Sequence, residues 1–244
     1  MNTKKEAVRI AAGLMMMGAA VAAGADDAGD EKLSKVPEKS AVCTVKAVPG
    51  DTYSHVKWFF IIPVKLQPQM AVWVEDETGR VVRTLYVTQK AADGSWSGGA
   101  DERPDALPIY THRSAAGDVD EVSGATPKAS EERSLRWETT LEKGGEYTFY
   151  VEVNASFDYN DTYGKETSGV NGQPSLLYAA RLSPAASSGT ASTASNRSIA
   201  FEAVGHGTVD GTAGTVERDL RGITDARSIL KKVRLTLERT VAGR

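Results

Sequence analysis

Short apolar runs with a period of two constrain this chain more than any other feature. Tyr147, Phe149, Val151 and Val153 alternate with Thr148, Tyr150, Glu152 and Asn154, and Gly144-Gly145 turns the chain into them. Successive side chains of a strand point to opposite faces, so such a run buries one face and leaves the other wet. The same reading predicts strands over Ala41–Val48, Val56–Leu66, Met70–Glu75 and Val81–Thr88. Asp76-Glu77-Thr78-Gly79-Arg80 is then a tight turn in which Gly79 supplies a positive φ. Ser175–Leu182 and Ser198–Val204 make a further pair, and Val233, Leu235 and Leu237 a last strand, with a short helix over Ala226–Lys232 before it. Many short strands between turn residues point to a mostly β fold, a β-sandwich with a C-terminal β extension.

The first residues set the compartment. Lys4, Lys5 and Arg9 make a basic start, an apolar run follows from Ile10 to Ala23, and Ala23-Gly24-Ala25 precedes Asp26-Asp27. A charged start, a short apolar middle and an A-x-A exit form a secretory signal, with cleavage after Ala25. The apolar run is shorter than the roughly 20 residues that span a bilayer. No later stretch is apolar enough to span, so the chain is not expected to be an integral membrane protein. Residues 1–25 are therefore read as signal peptide, 26–40 as a flexible leader, and 41–240 as a single β-sandwich domain. Within that domain lie a loop excursion over 91–134 and a low-complexity loop over 184–197, rich in Ala, Ser, Thr and Gly.

Charge narrows the partners. The signal removes three bases and one acid, which takes the formal net charge from −3 to −5. That balance argues against nucleic acid and against anionic membrane, both of which need clustered Lys and Arg. Cys43 is the only cysteine, so no internal disulfide forms, and Val42 and Val45 beside it suggest a packed thiol on a strand. His55, His112 and His206 are scattered without zinc spacing. Asp158-Tyr159-Asn160-Asp161 lacks the glycine and glutamate of a calcium loop and reads as an Asx-rich turn. Gly205, Gly207, Gly211 and Gly214 miss the dinucleotide-binding spacing, because Asp210 stands where the third glycine belongs. Trp58, Trp73, Trp96, Tyr110 and Trp137 are expected in the core.

The 91–134 excursion is polar and long, yet holds Trp96, Pro104, Leu107, Pro108, Ile109 and Tyr110, with Trp137 just beyond. A disordered linker rarely carries so many large apolar groups, so it is expected to be ordered and packed on one face of the sandwich. Inside it runs Asp120-Glu121-Val122-Ser123-Gly124-Ala125-Thr126. This resembles the acceptor signature of proteins modified by a periplasmic flavin transferase, an Asp separated by two residues from Ser/Thr-Gly-Ala-Thr. The resemblance implies that Thr126 carries FMN through a phosphoester. Gly124 and Ala125 would keep the loop thin enough to enter another enzyme, Ser123 would fix the turn, and Asp120 would hold it or position the hydroxyl. Trp96, Tyr110 and His112 are the residues that would turn toward the flavin. The competing reading is a plain β-turn of common residues, with Pro127 after it.

A wider resemblance supports the setting. Ala71–Asp76, Gly79–Leu85, Arg103–Pro108, Ser123–Pro127, Tyr150–Asn154 and Ser156–Asn160 resemble the predicted periplasmic proteins of domain of unknown function 2271, over roughly Val56 to Leu182. The resemblance implies an immunoglobulin-like β-sandwich, a module sometimes labelled flagellar-hook-type. It also implies a neighbourhood of flavin transferases, membrane redox proteins and iron-uptake components. Two functions follow as expectations. One is a covalent-FMN electron carrier, not an enzyme on its own, served by a periplasmic flavin transferase and a membrane redox protein. The other is a non-catalytic immunoglobulin-like binding or assembly module.

Overall fold

A computed structural model of the chain describes residues 40–94, 105–114, 123–124, 134–183 and 197–238. The expected signal and nearly all of the leader (1–39), and residues 184–196 of the low-complexity loop, lie outside the described residues. In chain order the elements are β1 (Ser40–Pro49), β2 (His55–Phe59), β3 (Ile62–Leu66), β4 (Gln69–Asp76), β5 (Val81–Thr88), α1 (Gln89–Ala92), α2 (Pro108–Ser114) and β6 (Ser123–Gly124). They continue with β7 (Leu135–Glu142), β8 (Tyr147–Asn154), α3 (Lys165–Ser168), β9 (Leu176–Leu182), β10 (Arg197–Ala200), β11 (Glu202–His206) and β12 (Leu230–Glu238).

Two sheets form the body. One has four strands in the order β10-β12-β1-β7, the other six in the order β11-β9-β8-β4-β5-β6. Their facing side chains make one cluster. Cys43 and Val45 of β1 and Val233 and Leu235 of β12 lie with Met70, Val72 and Val74 of β4 and Phe149, Val151 and Val153 of β8. This is the expected β-sandwich, and each such buried apolar side chain stabilises it by roughly 1.5–3 kcal/mol. Cys43 is fully buried, as expected, and burial pushes its thiol up to about 11. Gly79 turns β4 into β5 with φ 80°, and Asp76 closes that turn by accepting the Thr78 and Arg80 N–H groups.

The six-stranded sheet is covered on both sides. From Gln69 to Glu75 every residue of β4 is buried. Met70, Val72 and Val74 point into the sandwich, while Ala71 and Trp73 point outward beneath Ala106, Leu107, Ile109 and Tyr110. The described part of the 91–134 excursion is thus packed on one face of the sandwich, as its apolar residues predict, in the form of α2 and the turn before it.

Several expectations are corrected. Val56–Leu66 is not one strand but a hairpin, β2 and β3, with Phe59 opposite Ile62 around a Phe60-Ile61 turn. Around the reversal the run Trp58-Phe59-Phe60-Ile61-Ile62 is apolar and holds no Gly, Asn or Asp, so periodicity could not locate the turn; Pro63 just after it was the one breaker signal. Trp58, expected in the core, stands on this hairpin 63% exposed. Trp73 is fully buried and Trp137 packs partly buried against the core. Ser198–Val204 is two strands in different sheets. The chain crosses at Phe201, whose N–H donates to the Val233 carbonyl at 3.1 Å and whose ring is in the core. The helix expected at Ala226–Lys232 is a single 3-10 turn, Asp225–Ser228, because Leu230 already pairs with Pro49 in β12. Asp158–Asp161 is the expected Asx turn: Asn160 Oδ1 accepts the N–H groups of Thr162 and Tyr163. Among the described residues no helix is long and apolar enough to cross a membrane.

Candidate functional site

The outer face of the six-stranded sheet gathers the polar chemistry of the fold. On β8 the residues that alternate away from the core are Tyr150 and Glu152; β4 adds Trp73 and Glu75. Trp73 stacks on Tyr150, opposite it across the strand pair, with ring centroids 5.1 Å apart and planes 20° apart. Tyr110 of α2 closes over Trp73 at 5.5 Å. The Trp73 indole N–H donates to Glu75 Oε1 at 2.9 Å, and Arg113 Nη1 donates to the same oxygen at 2.8 Å. The Arg113 guanidinium also lies 5.1 Å from the Tyr150 ring centre. A buried carboxylate is tolerable only when paired and hydrogen-bonded, and Glu75 meets both conditions.

Among the described residues Glu152 has no cation partner. It is fully buried and takes three donors: Ser175 Oγ at 2.6 Å and Ile109 N–H at 3.3 Å on Oε1, and Tyr110 N–H at 2.8 Å on Oε2. The two backbone donors belong to the first turn of α2, whose Pro108 has no N–H to leave unsatisfied. A strand residue therefore caps this helix from beneath, satisfying N–H groups that no residue of the helix itself can. Burial dominates the electrostatics and raises the Glu152 carboxyl to about 7, with the three hydrogen bonds pulling the other way.

The glycines after β11 have a role that their failed dinucleotide spacing hides. A Cβ on Gly207 would lie 2.6 Å from Ser175 Oγ and 2.7 Å from Pro108 Cγ, and one on Gly214 would lie 2.4 Å from His112 Cβ. These positions let the 207–214 loop lie against α2, which is thus held between sheet and loop.

The residues expected to serve a flavin are distributed as follows. Tyr110 is 4% exposed and its hydroxyl donates to Thr84 Oγ1 at 3.1 Å, so it is a core residue. His112 is exposed on the same helix, with Nδ1 2.8 Å from the Pro108 carbonyl. Ser123 and Gly124 form β6, which pairs in parallel with Val87 and Thr88 at the rim of the six-stranded sheet. Asp120, Ala125, Thr126 and Trp96 lie outside the described residues. The fold thus brings Tyr110 and His112 onto the sheet's outer face and Ser123-Gly124 onto its edge beyond β5. Sequence reasoning missed Glu75, Arg113 and Glu152. The available signal was the Ala106-Leu107-Pro108-Ile109 run, which marks a segment able to cover a second sheet face and so to bury polar residues there. Among the described residues no cluster of His, Cys, Asp and Glu could hold a metal ion.

Residues 65–161 match the model of a family described as predicted periplasmic protein (DUF2271). The match is less than half of the chain and runs from the end of β3 to the Asx turn after β8, enclosing α2, Glu152 and the Ser123-Gly124 rim. The periplasm, expected from the N-terminal residues, is also the compartment that this description gives. No curated protein and no solved structure matches the chain.

Proposed function

We propose that this chain is a periplasmic β-sandwich protein that carries FMN on Thr126 and passes electrons outside the cytoplasm. The observation that carries the reading is the complete Asp120…Ser123-Gly124-Ala125-Thr126 run, of which Ser123-Gly124 is the outermost strand of its sheet. An acceptor must reach the active site of a second enzyme, and no strand pairs beyond β6 among the described residues. Attachment needs no binding cavity in this chain. The Thr126 hydroxyl oxygen bonds to the FMN-side phosphorus of FAD, the pyrophosphate bond breaks, AMP leaves, and the hydroxyl proton passes to the transferase. Bound FMN would supply the electron transfer, so the chain itself is a carrier rather than an enzyme. A periplasmic flavin transferase and a membrane redox protein, in an extracytosolic redox or iron-uptake system, are the partners this reading requires.

Co-expression with a flavin transferase in the periplasm tests it. The peptide containing Thr126 should gain the mass of one FMN, and Thr126→Ala should abolish the gain without altering the thermal midpoint. An unmodified wild-type peptide, beside a control substrate that is labelled, refutes the carrier reading. One observation favours the alternative, a non-catalytic immunoglobulin-like binding or assembly module: the exposed apolar hairpin of β2 and β3.

A further inference from the structure

Among the described residues, six of the seven large apolar side chains that stand exposed belong to one hairpin. Val56 is 56% exposed, Trp58 63%, Phe59 41%, Phe60 102%, Ile61 86% and Ile62 62%. Burying such groups elsewhere stabilises this fold, so a contiguous set left in water marks a contact surface. The hairpin is a sheet of its own, two strands wide, and pairs with neither of the larger sheets. Its inner face is tied down: Phe59 meets Phe157 edge-on at 5.7 Å, and the Lys57 ammonium lies 5.6 Å from the Phe157 ring centre and 5.5 Å from that of Tyr159. Its outer face and tip, Val56, Trp58, Phe60, Ile61 and Pro63, are open.

The turn is the second observation. Phe60 adopts φ 55°, and Ile61 has no positive φ. In a two-residue hairpin turn with this pattern the first position takes glycine, because a side chain is strained there. The sequence has the strained choice, and both turn side chains project outward. Folding alone would favour Gly-Asn. Phe-Ile at this place answers a need at the tip.

The occupant is set by shape and charge. From Thr52 to Val74 the chain holds no Asp or Glu, while Lys57 and Lys65 flank the apolar tip. A thin convex tip that presents Trp, Phe and Ile, with lysines behind it, matches the layering of a bilayer surface. Its apolar groups reach the acyl chains, Trp58 sits at the headgroup level, and the exposed Lys65, opposite Val56 on the outer face, meets lipid phosphates. We infer that the β2–β3 hairpin is a membrane-docking element that inserts Phe60 and Ile61 into an anionic phospholipid bilayer. The negative balance of the whole chain does not oppose this. Charges act over about 8 Å at physiological ionic strength, so the lipid meets the hairpin and not the average. The proposal is independent of flavin attachment, and Phe60 and Ile61 precede the segment matched by the family model.

The test uses protein purified from the periplasm and flotation with vesicles of phosphatidylethanolamine and phosphatidylglycerol. Wild type should float with them, and brominated lipids should quench its tryptophan fluorescence; Trp58→Phe should still float but lose most of that quenching. The double variant Phe60→Gly, Ile61→Asn should bind at least about tenfold more weakly, because two apolar groups no longer leave water. Its thermal midpoint should match or exceed that of wild type, since glycine relieves the turn. Lys65→Glu should weaken flotation with these vesicles and leave that with phosphatidylcholine unchanged. Both proteins share one N-terminus, so any difference belongs to the hairpin. Wild type that does not float, or a double variant that floats equally well, overturns the proposal. So does a wild-type dimer that the double variant turns into monomers, which would make the tip a contact between two copies.

Discussion

Replacing Glu152 by Gln tests whether a buried carboxylate beneath α2 costs the fold stability at neutral pH. The group ordinarily titrates at 4.5 and in the folded chain at about 7, because burial disfavours its charge. Folded protein therefore binds more protons than unfolded protein between those values. The stability this gives is fully present below the unfolded value and is lost as pH rises through about 7. The difference in pKa corresponds to about 3 kcal/mol lost by mildly alkaline pH, a large part of the roughly 5–15 kcal/mol that holds a domain together. Glutamine cannot titrate. Its carbonyl can keep the Tyr110 N–H and its amide can donate to Ser175 Oγ, leaving only the longer Ile109 bond unmade, at a cost of about 1 kcal/mol. The variant should thus be less stable than wild type by about 1 kcal/mol below pH 4, about equal to it near pH 5, and more stable by about 2 kcal/mol near pH 8. Urea unfolding of both proteins across this range measures the difference, in which every other titrating group cancels. A difference of one sign and one size at all pH values refutes the account. So does a variant that falls further behind as pH rises, which would mean that the native carboxylate is charged and stabilising.

Three further outcomes are expected. Asp158 is raised to about 8, chiefly by burial, so its contribution too is lost as pH rises through that value; Asp158→Asn should flatten the alkaline limb of the wild-type melting curve. The buried Cys43 thiol should not react with a disulfide reagent in native protein at neutral pH and should react fully in denaturant; native reaction would show that β1 opens. Gly207→Ala should lower stability by roughly 1–3 kcal/mol in urea melts, because its Cβ pushes on Ser175 and Pro108 together, and an unchanged midpoint would show that the loop is not held against α2.

What the sequence made legible follows from which forces are local. β8 was readable residue by residue, because alternation and the Gly144-Gly145 turn are both written within a few residues. The acceptor-like run was readable for the same reason: it is a string of residue types. The Phe60-Ile61 reversal was not, because a turn that breaks turn chemistry carries no local mark. The crossing at Phe201 was equally hidden, since it depends on which sheet each neighbour joins. Glu152 was placed on the polar side of its strand, which is correct. That this side is dry depends on α2 lying over it, and no local pattern states that.

The order of strands in the smaller sheet has a consequence for when the chain can fold. β1 lies between β7 and β12, with Val42 opposite Glu238 on one side and opposite Thr140 on the other. Among the described strands β10 in turn pairs only with β12. A chain that emerges N-terminus first therefore offers β1 long before its last partner exists, and this sheet stays at two strands until residue 238 has appeared. Until then the side chains of Met70, Val72, Phe149 and Val151 have half of their cover missing. Contacts between such distant segments form late and slowly, because a long loop must close first. Such a topology leaves the sandwich unfinished until the chain's last strand is available to close it.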